Sequence, residues 1–102
     1  NITWHGVTPG KPDFSDGARF IAWVLEAFET DQRGDVPIYV GCNAFWEPLD
    51  VELPPVNGKR WYRAVDTSLP PEEDIVPDEQ AFFLPETHYT IRPRSSIVLI
   101  AR

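Results

Sequence analysis

Proline stands at eleven positions along the 102 residues and cuts the chain into short pieces that disfavour long helices. Each proline lacks the backbone N–H that a helix interior or an inner strand ladder requires, and each pins φ near −65°. Between these breaks lie short apolar runs at residues 2–5, 19–28, 36–42, 49–53, 61–65, 88–91 and 96–101. Short strands at such spacing, separated by turn residues, suggest an all-β sandwich or a Greek-key barrel.

The patterning is clearest over residues 38–54. Ile38, Val40 and Cys42 alternate on one face, residues 43–48 make a turn, and Leu49, Val51 and Leu53 alternate against Asp50 and Glu52. Period-two alternation bounded by turn residues predicts a half-buried antiparallel hairpin. Residues 20–28 are apolar on both faces, and Phe20, Val24 and Phe28 also share helical spacing. Periodicity alone therefore permits either a buried central strand or a short helix there.

Acidic residues outnumber basic ones 16 to 9, for a net charge of −7. That balance disfavours nucleic acid, whose phosphates reward clustered Lys and Arg, and it equally disfavours anionic membrane surfaces. No apolar run approaches the ~20 residues of a membrane span, so neither nucleic acid nor membrane is expected as a partner. Cys42 is the single cysteine and excludes an internal disulfide. Placed beside Val40, it reads as a small buried hydrophobe rather than a nucleophile, because His5 and His88 are the only candidate bases and both are distant in sequence. One reduced thiol is compatible with the cytosol, and a cytoplasmic location is the expectation. Residues 68–79 hold three prolines and five carboxylates, but their spacing matches no EF-hand loop and lacks its glycine. They read as an exposed, solvated connection, and no metal or other cofactor is expected. The chain contains no methionine and reads as a piece cut from a longer polypeptide.

Four segments, in this order, carry a family resemblance. They are Ile2-Thr3-Trp4-His5-Gly6 followed by Pro12-Asp13-Phe14; the strand–turn–strand wording of residues 38–54; Trp61-Tyr62-Arg63-Ala64-Val65-Asp66-Thr67; and Tyr89-Thr90-Ile91-Arg92-Pro93-Arg94-Ser95-Ser96-Ile97-Val98-Leu99-Ile100. The ordered set resembles the C-terminal β-domain of isoamylase-type glycogen and starch debranching enzymes, members of the α-amylase superfamily (glycoside hydrolase family 13). The resemblance implies an antiparallel Greek-key β-sandwich of the α-amylase-family C-terminal type, as one accessory domain over residues 1–102. It also implies a strand at residues 20–28, which the loop-like Gly17 before them supports. The parent would hydrolyse α-1,6 branch points with an Asp, a Glu and an Asp carried on its (β/α)8 barrel. None of the motifs that hold those residues occurs here, so this chain has no expected catalytic residue. Its implied partner is the catalytic barrel of the same polypeptide, whose apolar surface it would cover. The sequence departs from the family at Phe14, where Trp is common, and at Phe45, where His is common.

Sugar sites depend on aromatic platforms ringed by a few polar groups, which makes Trp4, Trp23, Trp46 and Trp61 the candidates. Trp23 and Trp61 sit inside apolar strands and are expected in the core. Trp4 and His5 form with Phe14 an aromatic N-terminal patch, placed by the resemblance where the family's chain leaves the barrel; these three are the expected interdomain packing residues. Trp46 lies in a connection beside Phe45 and is expected to fold back over the sandwich end. Its alternative is contact with α-glucan, which would make the chain an autonomous carbohydrate-binding module. A third reading, a free-standing glycosidase, needs two carboxylates across one sugar, ~5 Å apart for retention. Among 16 acidic residues some pair always lies close, so proximity decides nothing. Asp66 and Thr67 end a strand and read as turn chemistry. Asn43 reads as a turn residue tolerating an unusual backbone conformation.

Overall fold

A computed structural model describes residues 1–28 and 35–102. Its strands are β1 (Ile2–His5), β2 (Phe20–Phe28), β3 (Asp35–Asn43), β4 (Leu49–Glu52), β5 (Trp61–Asp66), β6 (Phe82–Phe83), β7 (His88–Ile91) and β8 (Ser95–Ala101), with one 3-10 turn at Asp78–Gln80. A large sheet runs β1-β2-β3-β8-β5-β6 and a small sheet pairs β4 with β7. Every pairing is antiparallel. The fold is thus the expected all-β sandwich, and residues 20–28 form a strand rather than a helix. The predicted runs all become strands. The two-residue β6 was not foreseen, because two residues are too few to display a period.

The core lies between the sheets. Phe20, Ala22, Val24, Tyr39, Trp61, Ile97, Leu99 and Ala101 come from the large sheet, and Val51 and Ile91 face them from the small one, with Leu53 just beyond β4. Gly41 lets the layers close. A Cβ there would meet Tyr39 Cε1 at 3.0 Å and Ile91 Cδ1 at 3.1 Å, tighter than close-packed interiors normally allow. Tyr39 packs edge-on to Trp61, with ring centroids 6.0 Å apart. Its hydroxyl is buried without a hydrogen-bond partner, and burial raises its pKa. The Trp61 Nε1–H donates to the Pro54 carbonyl at 2.8 Å, so this buried indole is satisfied at its polar end as well.

The expected hairpin over residues 38–54 does not form. β3 pairs with β2 and β8, whereas β4 pairs with β7 in the other sheet. Residues 43–48 are therefore a corner that carries the chain from one layer to the other. Alternation specifies which side chains share a face; it does not name the neighbouring strand. The buried face of β3 is also the other one. Tyr39, Gly41 and Asn43 point inward, while Ile38, Val40 and Cys42 are half-buried on the outer face. Cys42 is accordingly not the core hydrophobe that the alternation implied.

Candidate functional site

The N-terminal patch is built by β1 and the loop after it. Trp4 stands opposite Trp23 in the β1–β2 register, with ring centroids 5.7 Å apart. Phe14 meets Trp4 edge-on at 5.8 Å. Trp4 is 41% exposed and Phe14 65%. Trp23, expected in the core, is only half-buried and belongs to this outer cluster. The reason is that β2 is apolar on both faces, so an aromatic ring in it can point either way. His5 points to the opposite side of β1, as strand alternation requires, and is buried. Its Nδ1 accepts the Gly10 N–H at 2.8 Å, and burial lowers its pKa. The imidazole thus pins the loop rather than joining the Trp4–Phe14 pair. Gly6 completes that loop, since a Cβ there would collide with the Lys11 carbonyl.

The second aromatic group sits on the corner. Asn43 ends β3 at 2% exposure, and its amide nitrogen donates toward the carbonyls of Glu47, Ile91 and Arg92 at 3.0, 3.1 and 3.2 Å. Its Oδ1 accepts the Phe45 N–H at 2.8 Å. Asn43 is therefore a side-chain bracket; the positive-φ non-glycine residues described are Glu72 and Arg94. The bracket holds Phe45 and Trp46 with centroids 5.3 Å apart. Trp46 does not fold back over the sandwich end but stands 63% exposed. The Arg19 guanidinium lies over the Phe45 ring at 5.1 Å. Beside them a cavity of about 460 Å³ opens between residues 6–20 and the corner, lined among others by Gly6, Lys11, Asp13, Arg19, Phe45 and Leu49.

Asp66 is the buried carboxylate of the described residues. Its Oδ1 accepts the Ser68 N–H at 3.0 Å and the Ser68 hydroxyl at 2.6 Å, the turn chemistry expected of it. Sequence reasoning missed its other partner, Tyr89, whose hydroxyl donates to Oδ2 and so ties β5 to β7 across the two sheets. A β-bulge between Arg63 and Val65 turns Asp66 inward for this contact. Chemically, the arrangement holds two layers together, with both carboxylate oxygens occupied. Burial pushes the Asp66 carboxyl up, but hydrogen bonds from Ser68 and Tyr89 and the nearby Arg63 hold it below the usual range. The Tyr89 phenol is pushed up to about 12 by burial and by Asp66. A carboxyl whose pKa is lower folded than unfolded stabilises the fold above about pH 4, and that contribution is lost as pH falls through the folded value. Denaturation midpoints of wild type and Asp66→Asn should therefore differ most near neutrality and converge in acid below about pH 4. A difference that does not change with pH would remove Asp66 from the acid response.

A family model described as the C-terminal domain of isoamylases 1–3 matches residues 3–99. Isoamylase 1, chloroplastic, of Oryza sativa subsp. japonica is 37% identical over 96% of the chain. Isoamylase SU1, chloroplastic, of Zea mays is 33% identical over 99% of it. The chain spans 13% of the length of each of these relatives. Their names place them in chloroplasts, which lends the cytoplasmic expectation no support. Among the described residues, no helix is long and apolar enough to cross a membrane.

Proposed function

The chain belongs to the isoamylase 1–3 C-terminal domain family, and from that premise we propose that it is the non-catalytic C-terminal domain of an enzyme hydrolysing α-1,6-glucan branch points, packed on the catalytic barrel of the same polypeptide. The observation that carries this reading is the exposed, edge-on aromatic pair Trp4 and Phe14 on the outer side of β1, with Trp4 also tilted against Trp23. Large exposed rings on a charged, soluble domain mark contact surfaces. The relatives' far greater length supplies room for the partner. In the packed enzyme Trp4 and Phe14 meet the barrel, while His5 serves the seam by fixing the loop that carries it. A reducing compartment, cytosol or plastid stroma, suits the unpaired thiol of Cys42.

Trp4→Asp tests the packing. In the full-length enzyme it should lower the melting temperature by several degrees, because a charge is buried without compensation. In the 102-residue chain the change should be small, since water reaches the site. A larger loss in the short chain would assign Trp4 to the stability of the sandwich itself. One observation favours a second reading, a carbohydrate-binding module: Trp46 is 63% exposed and backed by Phe45. Calorimetric titration with maltoheptaose separates the two. Low-micromolar affinity lost in Trp46→Ala belongs to the binding module, and weak or undetectable affinity to the packing domain.

A further inference from the structure

The two sheets differ on their outer faces. On the small sheet the exposed positions are Asp50, Glu52, His88 and Thr90, the polar face of an antiparallel sheet that meets water on one side. Among the described residues the large sheet shows no such polar face. Its register aligns Ile2, Leu25, Ile38, Ile100, Tyr62 and Phe83 in one row across all the strands, β1 to β6. The neighbouring row is Trp4, Trp23, Val40, Val98 and Val65. Neither row contains a charged residue. Ile2 is 53% exposed, Leu25 37% and Phe83 49%, and Ile38, Val40, Val98 and Ile100 between them are half-buried. Over β5 a polar rim begins, where Arg102 lies over the Tyr62 ring at 5.0 Å and pairs with Asp78 at 3.1 Å.

We infer that this whole outer face of the large sheet, from Trp4 to Phe83, is the surface that seats the preceding part of the same polypeptide. The inference rests on the packing reading above and extends the seam from the N-terminal patch across every strand. Strands that are apolar on both faces belong to sheets covered on both sides, and the sandwich core covers only one. With strands ~4.8 Å apart the face is roughly 24 Å wide, the scale of a contact between domains of one chain. The occupant is apolar protein surface rather than sugar. Rings stand only at the margins, Trp4 with Trp23 and Tyr62 with Phe83, while the centre is aliphatic Ile38, Val40, Val98 and Ile100, without the polar groups that orient a glucan. The family description puts this unit at the C-terminal end, and it spans only 13% of its relatives. In such relatives the greater part of the polypeptide precedes this unit, and β1, its first strand, forms one margin of the face.

Hydroxyl-radical footprinting of the full-length enzyme tests this without altering the fold. Trp46, exposed on the corner, is the internal reference. Tyr62, Phe83, Trp23 and Trp4 should be labelled roughly tenfold more slowly than Trp46, as burial in an interface excludes solvent. Slow labelling of Trp4 and Phe14 with fast labelling of Tyr62 and Phe83 would overturn this inference while leaving the N-terminal packing intact. Fast labelling of all of them would overturn both. Protection confined to a dimer fraction would make the occupant a second copy, and protection requiring added maltoheptaose would make it glucan; either result overturns the assignment to the same polypeptide.

Discussion

Trp61→Ala is expected to lower the unfolding free energy by about 3–5 kcal/mol, a large share of the ~5–15 kcal/mol that a domain of this size possesses. The indole is 7% exposed, packs edge-on against Tyr39 at 6.0 Å and satisfies the Pro54 carbonyl through Nε1–H. Truncation removes apolar contacts, opens a cavity beside a tyrosine that cannot easily collapse into it, and leaves a buried carbonyl without its donor. Trp46→Ala provides the contrast. Its ring is 63% exposed and rests on Phe45, so its loss should stay within about 1 kcal/mol. Urea denaturation of both variants measures the difference, and equal losses would contradict the exposed placement of Trp46.

The second large effect is expected at Asn43. Asn43→Ala should cost about 2–4 kcal/mol, because several hydrogen bonds vanish together and strand into the interior the groups they satisfied. Those groups lie on two elements, the corner at Glu47 and Phe45 and the end of β7 at Ile91 and Arg92. The substitution thus unfastens the point where the chain crosses between sheets. Asn43→Asp probes the same bracket with nearly the same shape. Its carboxylate would still accept the Phe45 N–H but would turn an anion toward three carbonyls, so it should also be destabilising, and less so in acid, where it protonates. An Asn43→Ala midpoint equal to wild type would show that the corner is held by other contacts.

Much of the strand inventory was legible because each run declares itself locally, through alternation and the turn residues that close it. The strands at residues 2–5 and 88–91 begin and end where the apolar runs do. Asp66 announced its turn in the same way, since a carboxylate bonding the backbone two residues on is a local event. Asn43 announced only half its role. Its bond to Phe45 is local, but its bonds to Ile91 and Arg92 join residues 48 and 49 positions away, and no spacing in the chain encodes them.

Local chemistry, then, determined where most of the strands lie and that residues 20–28 are apolar on both faces, while leaving those residues open to strand or helix. The tertiary structure alone decided that β3 and β4 part into different sheets, that Trp23 turns outward to meet Trp4 while His5 turns in, and that the unpaired apolar faces align into one continuous surface. The division has a physical cause. Side-chain alternation follows from the geometry of a single extended backbone, whereas strand partners and the choice of the buried face are set by the packing of residues brought together from the whole length of the chain.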